Sequence, residues 1–257
     1  MSKIKISMLQ LNSKWEDVDA NLKNIEKQIA NSEKSDILVL PEMFNTGFTN
    51  NVNKCAETFD GKTVSWMKFI AKKTDTAICG SLIIVRESKF YNCFVFVKPD
   101  GSFSFYDKRH LFRMGNENDT FSGGDSRIIV EYKSFRILLQ VCYDLRFPVW
   151  SRNNEDYDII FYVASWPDAR REIWDILLKA RAIENQSYIV AVNRVGTDGN
   201  NLFYSGGTYC IDPKGNILAE AKNNEEVLLT VSLDKSELLN FRSKFPAYLD
   251  RDKFEIL

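Results

Sequence analysis

Histidine is nearly missing from this chain: His110 is the only one among 257 residues. Catalytic metal centres resting on two or three imidazoles are therefore excluded. A Ser-His-Asp or Cys-His enzyme has only this one residue to use. Cysteine is sparse and unpatterned. The five (Cys55, Cys79, Cys93, Cys142 and Cys210) are odd in number, scattered and never spaced CxxC. That argues against a disulfide framework and a zinc site and favours a reducing cytoplasm. No run approaches the roughly 18 uninterrupted apolar residues of a membrane span. The opening MSKIKISMLQLN alternates polar with apolar residues and lacks the apolar core of a signal peptide. Charge excess is missing too. With 34 basic residues against 35 acidic, the net charge is −1, and neither nucleic acid nor an anionic membrane is implied as a partner. Linkers, repeats and low-complexity tracts are also lacking. The chain reads as a single domain over 1–257, with a core of about 3–235 and a C-terminal tail, 236–257.

What is present alternates strand with helix. Residues 4–11 read as a strand, and Val18, Leu22, Ile25 and Ile29 fall at helical spacing within 17–32. DILVL (36–40) is continuously apolar, as a strand buried on both faces must be. Val64, Met67 and Ile70 with Trp66 predict a second helix, followed by strands at 76–85, 91–97 and 103–107. Strands at 135–141 and 158–164, a helix over 169–186 and a strand at 188–195 come next. A hairpin turns at Asp-Pro-Lys-Gly (212–215), and a last strand (225–232) leads to a short helix capped near Asp234. The fold class is α/β.

Reactive side chains stand directly after the apolar strands. Pro41-Glu42 follows DILVL, Lys108 follows FSFYD, and Cys142 follows FRILLQV. Ligands of open α/β sheets bind beyond the carboxyl ends of strands, so a carboxylate, an ammonium and a thiol could meet there. A thiolate is the nucleophile; a carboxylate can take its proton, and a lysine can stabilise the anions that form. Each also has a plain structural role available: a core cysteine, a turn-capping glutamate, a solvated strand-end lysine.

LVLPEMFNTGF (38–48), YDKRHLF (106–112) and VCYDLRFPVWSRN (141–153) resemble the three signature segments of the nitrilase, or carbon–nitrogen hydrolase, superfamily. RAIENQSY (181–188), NRVGTDG (193–199) and IDPKGN (211–216) fit as well, so the resemblance covers nearly the whole chain. It implies a four-layer α-β-β-α sandwich, commonly paired as a homodimer, with no metal and no cofactor. It carries a Glu–Lys–Cys triad onto Glu42, Lys108 and Cys142, and a further glutamate onto Glu117 in GNENDTFSGGD. The backbone N–H of Tyr143 becomes an oxyanion donor. Cys142 then ends a rigid strand with its sulfur facing a pocket.

The stretches around Cys142, RAIENQSY and NRVGTDG look most like the bacterial omega-amidase branch, which releases ammonia from 2-oxoglutaramate and 2-oxosuccinamate. Such small anionic substrates call for a cation and little spare volume. Trp166 and Arg170, in ASWPDAR after the 158–164 strand, are the candidate substrate-binding residues, with Arg194 next in line. Arg170 also reads as a solvated helix-start residue. Asp144 and Arg146 are expected to pair with each other or with backbone, Arg181 with Glu184, and His110 to orient its loop. Hydrolysis of deaminated glutathione or a carbamoyl amine, a binding protein without turnover, and a Cys-His hydrolase using His110 remain as alternatives.

Overall fold

The computed structural model describes residues 3–30, 32–154 and 156–256. In chain order the first half contains β1 (Lys3–Gln10), α1 (Val18–Ile29), β2 (Ile37–Val39), α2 (Val52–Cys55), α3 (Lys62–Thr74), β3 (Ala77–Arg86), β4 (Lys89–Val97), β5 (Phe103–Asp107) and α4 (Glu117–Thr120). The second half contains β6 (Ile129–Tyr132), β7 (Phe135–Val141), α5 (Pro148–Ser151), β8 (Ile159–Ala164), α6 (Arg171–Asn185), β9 (Tyr188–Asn193), β10 (Val195–Thr197), β11 (Phe203–Ser205), β12 (Tyr209–Ile211), β13 (Ile217–Glu220), β14 (Val227–Asp234) and α7 (Lys235–Lys244).

Two six-stranded sheets carry the fold, in the orders β14-β1-β2-β3-β4-β5 and β13-β12-β9-β8-β7-β6. Their topologies match. In each, three parallel strands (β1, β2, β3 and β7, β8, β9) form the centre, with antiparallel strands outside them. The sequence shows why: the central strands are apolar on both faces, as covered parallel strands require. Ile4, Ile6, Met8, Ile37 and Val39 pack in one cluster with Ile137, Leu139, Phe161 and Val163 of the second sheet. On the outer face, Leu9, Leu38 and Ile78 meet Leu22 and Ile25 of α1 and Val64, Met67 and Ile70 of α3. Trp174, Leu178 and Ala182 bring α6 against the second sheet. The result is the four-layer α-β-β-α sandwich.

The caps follow the sequence. Asp17 accepts the N–H of Ala20 at 3.0 Å to open α1, and Asp234 accepts that of Ser236 at 2.8 Å to open α7. The strand expected at 188–195 differs. It leaves the sheet after Asn193, whose side-chain amide is drawn to the Trp166 and Gly206 carbonyls at 2.9 and 2.6 Å, and Val195–Thr197 pairs instead with β11. The helix expected from 169 begins at Arg171 because 168–170 form a separate 3₁₀ turn.

Candidate active site

Glu42, Lys108 and Cys142 all follow strands whose carboxyl ends share one edge of the sandwich. The loop carrying Glu42 is held to β3: Leu40 N–H donates to the Cys79 carbonyl at 2.8 Å, and Met43 N–H to Ser81 Oγ at 2.9 Å. Gly80 lies against this loop, where an added Cβ would meet Phe44 Cδ1 at 2.7 Å and Leu40 Cβ at 3.0 Å. Only a residue without a side chain lets the loop approach β3 this closely. Lys108 is tied to β4 by its N–H, 2.9 Å from the Asn92 carbonyl.

Cys142 opens a 3₁₀ turn (142–146) with φ +46°, a left-handed conformation that costs a non-glycine residue roughly 1–3 kcal/mol. Asp144 holds the turn against that cost. Its carboxylate accepts from Val141 N–H (3.0 Å), Tyr106 OH (2.8 Å) and His110 N–H (3.0 Å).

These segments assemble a buried ionic cluster. Lys108 Nζ lies 2.8 Å from Glu42 Oε1 and 2.8 Å from Glu117 Oε2, and all three side chains are 0% exposed. Glu117 also accepts the Phe112 N–H at 2.7 Å, so its loop is locked to the cluster and not solvated. Glu42 Oε2 accepts the Ser165 N–H at 2.8 Å, from the residue after β8. Asn92 of β4 bridges the carboxylates, donating to Glu42 Oε1 at 2.8 Å and Glu117 Oε1 at 2.9 Å. Sequence reasoning missed Asn92 and Ser165. A signal for Asn92 existed: an asparagine inside the apolar run YNCFVFV must be partnered if buried.

The electrostatics set the chemistry. Burial alone would lower Lys108, but Glu117 and Glu42 override it and hold the ammonium well above its ordinary value. Burial pushes Glu117 up, opposed by Lys108 and by its N–H donors. Cys142 is pushed well above an ordinary thiol, first by burial and then by the Glu42 charge, with Lys108 opposing. The sulfur is therefore a thiol at neutral pH, under the charge of the carboxylate that can take its proton.

A cavity of about 430 Å³ opens over this cluster, lined by Lys108, Cys142, Tyr143, Arg146, Trp166 and Arg170 among others. Glu42 and Glu117 lie behind its wall. Cys142 is the one cysteine that lines the cavity. Trp166 is fixed in place: its N–H donates to Asn193 Oδ1 and its indole N–H to the Arg170 carbonyl, each at 2.8 Å. Arg170 sits at the start of α6 and still faces the cavity, its guanidinium 5.1 Å from the Phe112 ring.

Three expectations change. Asp144 bonds backbone, as one of the two alternatives had it, and also His110 Nδ1 at 2.8 Å, but Arg146 pairs with neither and instead lines the cavity, 5.3 Å over the Trp166 ring. Arg194 cannot serve as an anion anchor. It is fully buried beneath Tyr204 and donates to the Ser13 carbonyl at 3.1 Å. The cavity is also roomier than a five-carbon acid needs, since it extends to a mouth bordered by the exposed Met114 and Leu202. His110 is loop-orienting, stacked on Phe147 with centroids 3.7 Å apart, and Arg181 pairs with Glu184 at 3.1 Å. Because His110 does not line the cavity, a Cys-His pair is not assembled.

Comparison with known proteins finds relatives along the whole chain. The omega-amidase YafV of Escherichia coli (strain K12) is 44% identical over 256 residues, covering 100% of both chains. The 2-oxoglutaramate amidase of Bacillus subtilis (strain 168) is 34% identical over 251 residues, covering 95% of this chain and 96% of that one. Among solved structures, XC1258 from Xanthomonas campestris, a CN-hydrolase superfamily protein with an arsenic adduct in its active site, superposes with a TM-score of 0.97 at 40% identity over 100% of both chains. The carbon-nitrogen hydrolase family model matches residues 5–242. On the fold, the ionic cluster and these matches together, the chain belongs to the carbon–nitrogen hydrolase family.

Proposed function

We propose that this protein is a thiol-dependent omega-amidase that releases ammonia from 2-oxoglutaramate and 2-oxosuccinamate. One observation carries the substrate reading. Arg146 and Arg170 line a cavity with Cys142 at its wall, and neither arginine forms an ion pair among the described residues. Two cations without carboxylates of their own suit a substrate that is an amide at one end and a carboxylate at the other. A charge-assisted hydrogen bond to such a group is worth about 1.5–3 kcal/mol. Trp166, fixed by its two hydrogen bonds beneath Arg146, borders the space where the planar 2-oxo group of the open-chain form would lie.

The catalytic roles follow from the cluster. Glu42 takes the Cys142 proton as sulfur attacks the amide carbon. Lys108 and the Tyr143 N–H stabilise the tetrahedral oxyanion, the kind of preorganised donor that accelerates acyl transfer most. Glu42 returns the proton to the departing ammonia. Water, activated by Glu42 and positioned with Glu117, then cleaves the thioester, giving the free acid and restoring the thiol. We also read the chain as one domain, because β14 completes the sheet begun by β1, and as a cytoplasmic homodimer. Gel filtration with light scattering tests the dimer.

Ammonia release tests the activity. The oxo-acid amides should exceed glutamine, asparagine, nitriles, carbamoyl amines and deaminated glutathione in kcat/KM. A preference for any of these others would sink the omega-amidase reading and leave the cysteine chemistry standing.

A further inference from the structure

Four hydrogen bonds around the catalytic lysine close into a ring. Lys108 Nζ donates to Glu42 Oε1 (2.8 Å) and Glu117 Oε1 (3.1 Å), and Asn92 Nδ2 donates to the same two oxygens at 2.8 and 2.9 Å. Two donors alternate with two acceptors, and every member is at most 1% exposed. The amide must present its nitrogen here, since its oxygen would face two carboxylates. That orientation leaves Asn92 Oδ1 with no partner among the described residues.

The ring treats the two oxygens of Glu42 differently. Oε1 receives an ammonium and an amide, whereas Oε2 receives only the Ser165 N–H. We propose that Asn92 is a positioning residue that, with Lys108, occupies Glu42 Oε1 and so makes Oε2 the atom that takes the Cys142 proton. Asn92 also ties together the two carboxylates that share one cation. The other titratable groups facing Glu42 are Cys142 and Tyr204. This inference rests on the cysteine–glutamate chemistry above but not on the identity of the amide.

The test uses Asn92→Ala, Asn92→Ser and Asn92→Asp in the full chain. Asn92→Ala should lose about tenfold to hundredfold in kcat, as expected for a hydrogen bond to a charged group, with KM nearly unchanged. Without the donor the cluster loses a hydrogen bond that favours charged carboxylates, so the acid limb of the kcat/KM profile should move to higher pH. Asn92→Ser, which keeps a hydroxyl donor, should fall between wild type and alanine, and stands in if alanine does not fold. Asn92→Asp adds a third carboxylate and should be the least active. Iodoacetamide labelling of Cys142 needs no substrate, and its low-pH fall should shift upward in the same way. That readout separates failure of this inference from failure of the omega-amidase reading. A folded Asn92→Ala or Asn92→Ser with unmoved activity and labelling profiles, or an Asn92→Asp as active as wild type, would overturn it.

Discussion

The Ser165 N–H donates to Glu42 Oε2 at 2.8 Å, while the Ser165 hydroxyl donates to the Glu42 carbonyl at 3.3 Å. Glu42 follows β2 in the first sheet and Ser165 follows β8 in the second. The proposed general base is thus held from both layers of the sandwich at once, and the Cys142 turn of the second sheet meets it there. Such support from rigid elements is what keeps a catalytic group within a fraction of an ångström of its working position.

Replacing that base should separate bond making from turnover. Glu42→Gln keeps the shape of the side chain but cannot accept the thiol proton, so steady-state ammonia release should fall to background. Stoichiometric alkylation of Cys142 by iodoacetamide should persist and rise with hydroxide concentration. Cys142→Ala should lose both, with the thermal unfolding temperature close to wild type. Turnover above a trace in either variant would contradict the assigned roles.

Lys108 and His110 lie two residues apart and should respond very differently. Lys108→Ala removes the proposed oxyanion donor and leaves two buried carboxylates uncompensated, so kcat should drop by at least ~10²–10³-fold. His110→Asn keeps a donor for Asp144, loses the stack on Phe147, and should cost less than about tenfold, since imidazole supplies no proton in this scheme. Steady-state kinetics of the two variants on one amide decide the matter; the reverse order would restore the Cys-His reading.

The labelling of Cys142 should carry the signature of a raised thiol. A higher proton affinity means less thiolate at any given pH, so the alkylation rate should climb through neutrality and keep climbing past the ordinary thiol value of about 8.5. Lys108→Ala removes the opposing cation and should slow labelling further at a fixed mildly alkaline pH. Burial also raises Cys79, Cys93 and Cys210, which should label only on unfolding. Peptide mapping by mass spectrometry reads all of these sites.

Much of this was legible in the sequence, for identifiable reasons. Covered parallel strands must be apolar, so β2, β7 and β8 announce themselves, and β7 falls where it was read. Glu42, Lys108 and Cys142 each stand after a strand, which makes their meeting plausible, and the resemblance to the family's signature segments is what named them as a triad. Asn92 was hidden inside an apolar strand, and the Ser165 contribution is a backbone N–H, which no side-chain pattern reveals. Arg146 was misassigned because proximity in sequence to Asp144 suggested a pair. The Cys142 turn instead sends Asp144 inward to Tyr106 and His110, and places Arg146 in the cavity wall. Short pieces such as β10 and β11 pair only with each other and lack the apolar signal of a sheet core.

Charge recognition can be isolated on the cavity wall. Arg170→Ala and Arg146→Ala should each raise KM for the oxo-acid amides by about tenfold to hundredfold, the worth of a charged hydrogen bond, and change a neutral amide little. Equal losses on both substrate types would show that these arginines shape the cavity through their contacts with Phe112 and Trp166 and do not bind the anion.

Strand β1 pairs with β14 along its whole length, from Lys3 opposite Asp234 to Gln10 opposite Val227. During synthesis β1 leaves the ribosome well before this neighbour, since strands β2 to β13 come between them. Until residue 234 has emerged, the sheet that supplies Glu42 and Lys108 has an open edge of unpaired backbone groups, the kind of edge that recruits strands from other chains. While β14 has yet to emerge that edge stays open, and its pairing with β1 completes the sheet on which the loops carrying Glu42 and Lys108 stand.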